Sequence, residues 1–515
     1  MQLADRLYRV FAANRLLSTL AAVALCTMLA AGVGYLLAEF GVLISGAAFI
    51  ALCLGLWMLR DIEVAYWGVI GVVCLLPFSS FPFSMGFTPT FLDAAMGALF
   101  LLWLLRIATG RQREFVATPL GLPVIIFILI TTGAFVSGLS HAALTSYVLR
   151  HFAEILLSIA LFFLVVNTVR DTRRLARLTR ALLLCAFVAA LIGVLLYLIA
   201  AYVSDELVIR ALSALGRLGY PTGPGVLRYI RDDPALPMRA TSTSIDPNVL
   251  GSLLNLTLCI GTPQLFAARP FLPRRYLVLM LGTMALCLGL TISRGSLVGA
   301  TIALAAVATL RYRKLWLLML ITLLLILTLP QTQGYVKHFI AGVRGEDLAT
   351  QMRFGEYKDA LILIGRYPWL GVGFAGTPDI DTYIGVANVY LIIAEQTGLI
   401  GLTSFMVIVA VLFVRFWRAR RLAAASPVLE PLWWGLHAGV AGALIGGVFD
   451  HYFFNLDFPH SATLFWLIVG LAAAAGRILE LPRSGGDAYT YDDRFVHEEL
   501  CQKQTGGWNI RHLEK

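Results

Sequence analysis

Long apolar runs dominate this chain and constrain its fold more than any other feature. They recur from Leu17 to Gly476, and at about 17–25 residues each can cross roughly 30 Å of hydrocarbon as a helix. Strands of a membrane barrel would instead show apolar and polar residues in alternation, which is absent here. Only 14% of the residues are charged, whereas soluble domains carry about a quarter. The sequence therefore predicts an all-α polytopic membrane protein.

We predict about fourteen transmembrane helices, with twelve to fourteen as the range. The expected spans are 17–39, 41–59, 64–79, 91–106, 120–138, 148–167, 180–202, 247–267, 276–292, 296–310, 315–330, 389–414, 431–450 and 461–477. If the N-terminus is cytoplasmic, five of the six loops on that side are basic, as positively charged loops retained inside should be. This charge pattern predicts cytoplasmic N- and C-termini.

The net charge of +10 does not indicate a nucleic-acid partner. Arginine and lysine fall in short clusters between the apolar runs, and no basic stripe with interleaved aromatic residues is present. Six of the seven cysteines lie inside apolar runs without metal-binding spacing, so we interpret them as small core residues.

Two long loops on the outer face interrupt the apolar pattern, at about 204–246 and 331–388. Both carry several arginines, against the usual charge bias of outer loops. An anionic ligand would explain these arginines, and so would solvation with local ion pairs. We expect one transmembrane domain over residues 1–480 and a polar, flexible cytoplasmic tail over residues 481–515.

Two outer-face motifs are candidates for binding an anion. Asp246-Pro247-Asn248 is typical of a helix start, and Arg239 precedes it; a helix N-terminus beside an arginine favours an anion, although capping alone would account for Asp246. In Ser293-Arg294-Gly295, a tight hairpin holds Arg294 near the membrane plane, where a lipid phosphate would lie or where the side chain would simply extend to the interface.

The second long loop contains the richest polar segment. Arg353 and Glu356 are followed by apolar residues at helical spacing, which predicts an amphipathic helix on the outer surface. A turn with Gly371 and Gly373 comes next, before the chain re-enters apolar sequence. Alternatively, Arg353 and Glu356 simply lie on the solvent-exposed face of this helix and bind no ligand.

Three further groups are candidate functional residues. Asp450 and His451 lie in the loop before the last span, together with Asp457 and His460. Arg150 and Glu154 are four residues apart within the sixth span and can pair on one helix face. Asp379 and Asp381 could hold a divalent cation, although a solvated turn explains them equally well. No Walker loop, GxSxG or HExxH motif occurs, so we predict neither a metal site nor a cofactor.

Taken in order, these motifs resemble the O-antigen ligase and O-antigen/exopolysaccharide polymerase-like (Wzy-type) family. The resemblance covers roughly residues 239–413. It rests on Arg239 with Asp246-Pro247-Asn248, Thr291-Ile292-Ser293-Arg294-Gly295, Arg353 with Pro368 and Gly371-x-Gly373, and Asn388-x-Tyr390-Leu391 with Glu395 and Gly398-Leu399-Ile400-Gly401.

The resemblance implies a bacterial inner-membrane glycosyltransferase with a GT-C-like helical bundle and short helices in a large periplasmic loop. Its partners would be the lipid bilayer, an undecaprenyl-diphosphate-linked oligosaccharide donor and other polysaccharide assembly or export proteins. Catalysis would need no metal. Arg294 and Arg353 match the family's diphosphate-binding arginines, and an arginine can grip phosphate oxygens with two donors. From the residues themselves we also predict substrate-binding positions at Arg150, Arg239, Asp246, Asn248, Gly371, Gly373, Asn388 and Tyr390.

The chain departs from the family at Ala387, where a histidine often precedes the asparagine and is taken as the general base. Alanine cannot accept a proton, so Glu356, Asp381, His338 or His451 would have to substitute. We expect a polysaccharide polymerase rather than a lipopolysaccharide ligase, with Glu356 among the catalytic residues. A lipid-linked sugar flippase and a catalytically silent assembly partner are the alternative interpretations.

Overall fold

The computed structural model describes residues 55–84, 86–230, 233–328, 348–377 and 385–480, with isolated positions within 19–46 and 333–345. Within these residues the regular elements are helices, and only two isolated β-bridges occur. The helices are α1 (Ile62–Leu75), α2 (Phe91–Ala108), α3 (Gly121–Gly138), α4 (Ser146–Thr168), α5 (Thr172–Tyr202), α6 (Asp205–Ser213), α7 (Pro247–Gly261), α8 (Arg274–Thr291), α9 (Arg294–Leu310), α10 (Lys314–Thr328), α11 (Leu348–Arg366), α12 (Val389–Ala424), α13 (Leu429–Gly446) and α14 (Pro459–Glu480).

Eight helices in the described part of the chain are long and apolar enough to cross a membrane. They are α2, α3, α4, α5, α7 with the 3₁₀ turn that follows it, α8, α12 and α14. Three shorter apolar helices, α1, α9 and α10, accompany them. The all-helical polytopic class is thereby confirmed. The total of fourteen spans stays a prediction, because expected spans 17–39 and 41–59 lie largely outside the described residues.

Helices α7, α13 and α14 form the centre of the bundle. Helix α13 packs on α7 and α9, and α14 packs on α4. The large side chains of Trp433 and Trp466 are fully buried there. Close approach of α7 and α13 is fixed by a buried amide, since Asn255 Nδ2 donates to the Gly442 carbonyl at 2.8 Å. A buried side-chain hydrogen bond of this kind can form in only one register of the two helices, whereas apolar packing alone tolerates several registers.

Two helices extend into segments that we expected to be cytoplasmic loops. Helix α5 begins at Thr172 rather than at residue 180, because the Asp171 side chain caps it by accepting from the Arg174 backbone N–H at 2.7 Å. Helix α12 continues to Ala424 instead of ending at residue 414. Long basic side chains are good helix formers, so these arginines continue the helix beyond its apolar part.

Ion pairs link several of the predicted cytoplasmic segments at one end of the bundle. Buried Glu63 pairs with Arg174 at 2.7 Å and with Arg177 at 2.5 Å. Arg311 pairs with Glu430, and Arg415 with Glu480. These pairs gather the basic segments on a single face. That this face is cytoplasmic, and that both termini lie there, stays a prediction.

The second long outer loop contains α11, at the position where we predicted an amphipathic helix. Ala360 and Leu363 are buried, whereas Phe354 and Leu361 are each 60% exposed. The helix packs on α12. Asp379, Asp381, His338 and the tail 481–515 lie outside the described residues.

Candidate functional site

Three arginines from separate segments converge on one buried carboxylate, Asp450. Arg353 Nη2, on α11, lies 3.6 Å from Asp450 Oδ1. Arg239 and Arg294 also act electrostatically on this carboxylate. We call Arg239, Arg294, Arg353 and Asp450 the arginine cluster. It combines three of the four arginines selected from the sequence with an acidic residue that the sequence argument had placed in a different group.

Burial of the Asp450 side chain changes the pH at which its carboxyl group ionises. The residue is 7% exposed and follows α13 in the loop before α14. Burial raises the pKa of its carboxyl group to about 7, although Arg353, Arg239 and Arg294 act in the opposite direction. Near neutral pH the carboxyl therefore exchanges between its charged and neutral forms, which changes the net charge of the cluster by one.

Gly295, at the start of α9, allows Asp450 to lie close to the first turn of that helix. A Cβ atom on Gly295 would lie 2.8 Å from the Cβ of Phe449 and 3.1 Å from Asp450 Oδ2. Any side chain at this position would push the loop that carries Asp450 away from the first turn of α9. The Ser293-Arg294-Gly295 motif thus brings Arg294 and Asp450 together, which explains why a glycine follows the arginine.

Arg239 is held between the end of α8 and the start of α7. Its Nε donates to the Thr291 carbonyl at 2.8 Å and its Nη2 donates to Asn248 Oδ1 at 2.7 Å. Asp246 caps α7, where its Oδ1 accepts from the Asn248 and Val249 backbone N–H groups at 2.7 and 3.0 Å. Asp246 is therefore a capping residue, and Asn248 is a positioning partner of Arg239.

Backbone strain is concentrated beside this cluster. Ser242, Ile245 and Ile292 are the non-glycine residues with positive φ in the described ranges, at 54°, 57° and 55°. All three flank Arg239, Asp246 or Arg294 in the sequence. Such conformations cost of order 1–3 kcal/mol each and cluster at functional sites. No sequence pattern predicted them, because serine and isoleucine rarely adopt this conformation.

Glu356 and Asn388 meet at the position where the family often has a histidine. Glu356 Oε2 accepts from the Ala387 backbone N–H at 3.0 Å. Asn388 caps α12 by accepting from the Tyr390 and Leu391 N–H groups, and its Nδ2 donates to the Val448 carbonyl at 2.9 Å. A carboxylate from α11 therefore lies directly beside Ala387, whose own side chain cannot carry out proton transfer.

The remaining predicted binding residues lie in structural contacts. The Tyr390 hydroxyl donates to the Leu444 carbonyl at 2.8 Å and ties α12 to α13. Gly371 has φ 65°, and a Cβ there would be 2.3 Å from the Glu395 carbonyl. Gly373, with φ 77°, packs against Gly138 of α3. None of these contacts involves the arginine cluster.

Arg150 belongs to a second charged group, between α2 and α4. It pairs with Glu154 at 2.9 Å, as the four-residue spacing predicted, and also with Asp93 of α2 at 3.3 Å. Its Nη1 donates to the Thr88 carbonyl at 2.7 Å. Two carboxylates and a carbonyl thus satisfy this guanidinium, which argues against a direct role in binding a diphosphate.

A polar cavity of about 440 Å³ adjoins α11. Its wall includes Glu356 and the loop that follows Asp450, along with the start of α4 and part of α12. The polar side chains that line it are Tyr147, Glu356, Gln396, His451, Asn455 and Asp457. Burial lowers the pKa of His451 to about 4, so its imidazole is neutral at pH 7. We call this space the polar cavity.

Metal-binding clusters of three or more histidine, cysteine, aspartate or glutamate residues do not occur in the described part of the chain. The Asp379-x-Asp381 pair lies outside that part. The sequence did not connect Asp450 with the arginines, because an isolated Asp-His pair in a loop gives no signal that three distant arginines act on it.

Comparison with known proteins identifies part of the chain. A family model described as O-antigen ligase matches residues 279–406. No curated protein matches the sequence. The matched segment contains Arg294, Arg353, Glu356 and Ala387, whereas Arg239 and Asp450 lie outside it. The resemblance to the O-antigen ligase and Wzy-type polymerase family is therefore confirmed, and residues 279–406 are the part of the chain that carries it.

Proposed function

We propose that this protein is an inner-membrane glycosyltransferase that polymerises undecaprenyl-diphosphate-linked oligosaccharide on the periplasmic face. The observation that carries the proposal is the convergence of Arg239, Arg294 and Arg353 on Asp450. The three guanidinium groups outnumber the two nearby carboxylates, Asp450 and Asp246, so this region carries a positive charge, which suits a diphosphate. The O-antigen ligase match supports a lipid-linked sugar as the substrate class.

The lipid chain of the donor would lie between helices in the bilayer, with its diphosphate against Arg294 and Arg353. An acceptor hydroxyl would attack the anomeric carbon and displace the diphosphate with inversion. Negative charge develops on the leaving group in that transition state, and fixed guanidinium groups stabilise it without reorganising. Because arginines perform this task, the reaction should proceed in the presence of a chelator.

The family resemblance favours polymerisation over ligation, because the departure at Ala387 removes the histidine that a ligase would be expected to use as its base. Other polysaccharide assembly or export proteins are the proposed partners in the cell. The alternative functions are a lipid-linked sugar flippase and a catalytically silent assembly partner. The following assay distinguishes both of them from an enzyme.

The test uses purified protein in nanodiscs with the lipid-linked oligosaccharide of its own host, a chelator and no nucleotide. We expect release of undecaprenyl diphosphate and a ladder of longer glycans. Arg294→Ala and Arg353→Ala should each lower the rate by about 10²–10³, as loss of one charge-stabilising donor does. Arg228→Ala is the matched control, because Arg228 is an exposed arginine of the other long outer loop.

A single transfer to lipid A core would identify a ligase instead of a polymerase. No release by wild-type protein, even with divalent metal added, would refute the enzyme and leave the flippase or silent-partner interpretation. Equal losses in Arg353→Ala and Arg228→Ala would refute the specific role of the arginine cluster.

A further inference from the structure

The polar cavity has the composition of a site for a hydroxylated ligand. Its volume of about 440 Å³ lies within the roughly 300–1,000 Å³ that small-molecule sites occupy. Its polar side chains supply hydroxyl, amide, imidazole and carboxylate groups, and arginine and lysine are absent from the lining residues described. Phe374 adds an aromatic side chain to the wall. Hydrogen-bonding and acidic groups beside an aromatic wall suit a sugar ring better than a phosphate, which carboxylates would repel.

Two buried polar atoms of this lining lack hydrogen-bond partners among the described residues. They are Oε1 of Gln396 and Nδ1 of His451. Gln396 is only 5% exposed. A buried polar group without a hydrogen-bond partner destabilises the folded state, and such groups are rare in proteins. A ligand with hydroxyl groups would supply the missing partners.

The polar cavity and the arginine cluster are neighbours, because two pairs of residues connect them. Arg353 of the cluster and Glu356 of the cavity wall lie three residues apart on α11, so they share one side of that helix. Asp450 of the cluster directly precedes His451 of the wall. A molecule in the cavity would therefore lie beside a diphosphate held by the arginines.

We propose that the polar cavity binds the acceptor sugar and that Glu356 takes the proton of the attacking hydroxyl. This inference rests on the proposed function, since it assigns the second substrate of the same reaction. The hydrogen bond from the Ala387 N–H holds the Glu356 carboxylate at the cavity wall. Glu356 thus fills the position that Ala387 leaves without a base.

The proposed reaction is a displacement at the anomeric carbon of the donor sugar. The acceptor oxygen forms a bond to the anomeric carbon of the donor as the bond from that carbon to the diphosphate oxygen breaks. The hydroxyl proton passes to Glu356, and the bonding electron pair leaves with the diphosphate, which the arginine cluster binds. The donor sugar is inverted, and no oxidant or reductant is needed.

The first test measures sugar binding separately from catalysis. The probe is the host repeat-unit oligosaccharide freed of its lipid diphosphate by mild acid, titrated calorimetrically into protein in nanodiscs. Gln396→Met removes the unpartnered oxygen with little change in volume, and we expect binding about tenfold weaker. The melting temperature should hold or rise, because an unsatisfied buried atom is lost. A purely structural role for Gln396 would not produce weaker binding in a protein of unchanged stability.

Gln264→Met is the matched control. Gln264 is equally buried and also has one unpartnered side-chain atom among the described residues, but it lies in the 3₁₀ turn after α7. This variant should bind the oligosaccharide as wild type does. Wild-type affinity in Gln396→Met, or an equal loss in Gln264→Met, would overturn the assignment of the cavity.

Glu356→Gln tests the proton acceptor. The amide oxygen can still accept from the Ala387 N–H, so the wall should keep its shape while proton transfer is lost. We expect kcat to fall by about 10²–10⁴ with an unchanged KM for the acceptor. An unchanged kcat would overturn the role of Glu356. Failure of wild-type protein to consume the donor would instead refute the proposed function, and the binding titration would still report on the cavity.

Discussion

Asp450→Asn should make the protein more stable, and increasingly so as the pH rises. Burial raises the Asp450 pKa from an ordinary value near 3.8 to about 7. The unfolded chain therefore releases this proton at lower pH than the folded protein does. Between these two values the unfolded state binds fewer protons, so the stability of wild-type protein falls as the pH rises. Asparagine keeps the shape of the side chain and cannot titrate.

The magnitude follows from the same shift. Each pKa unit corresponds to about 1.36 kcal/mol, so wild-type protein should lose roughly 2.5 kcal/mol between pH 5 and pH 8 through this group. Most of the loss falls between pH 5 and pH 7. Above pH 7 the folded carboxyl is itself ionised and the loss levels off. The charged groups that face it, Arg353, Arg239, Arg294 and Asp246, are already included in the shift.

The assay is the apparent melting temperature of detergent-solubilised protein at pH 5, 6, 7 and 8. The gap between Asp450→Asn and wild type should widen by several degrees up to pH 7 and then stay constant. Asp233→Asn, at an exposed aspartate of the first outer loop, serves as control and should follow wild type. A gap that is constant or narrows with rising pH would refute the burial argument for Asp450.

Three further substitutions test how the site is held together. Gly371→Ala should abolish folded protein, because its Cβ would be 2.3 Å from a carbonyl of α12, whereas Gly355→Ala on α11 meets open space and should express normally; equal yields would contradict this packing. Asn388→Ala should lower stability by about 0.5–2 kcal/mol through loss of the α12 cap, and Asn388→Asp should restore most of the melting temperature. Glu63→Gln should cost about 1–3 kcal/mol, since two partly exposed arginines lose the charge of their carboxylate partner; an unchanged melting temperature would show that this pairing adds nothing.

Local sequence patterns predicted the features that depend on neighbouring residues. The cap at Asp246, the helix around Arg353 and the Arg150–Glu154 pair all follow from spacings of a few residues. The apolar runs likewise predicted the all-helical class, because bilayer thickness fixes the length of a span.

Features made by distant segments could not be predicted in this way. Asp93 joins Arg150 from another helix, and Asp450 meets arginines more than fifty residues away in sequence. Gly371 fits a substrate-binding turn as well as it fits close packing, and only the three-dimensional contact with α12 distinguishes them. The polar cavity is formed by at least five separate segments, so no single motif contains it.

The attachment of α11 near its middle and beyond its C-terminal end has a mechanical consequence for the proposed glycosyltransferase. Near its middle, the Tyr357 hydroxyl donates to the Ala387 and Val448 carbonyls at 3.3 and 3.2 Å. Beyond its end, the Val372 N–H donates to the Glu395 carbonyl and the Leu399 N–H donates to the Pro368 carbonyl. A helix attached at two points is held in a fixed orientation and cannot rotate about a single hinge. In the proposed mechanism, the spacing between Arg353 and Glu356 on α11 is then constant, so we expect related proteins to accommodate different glycans by exchanging side chains along the cavity wall.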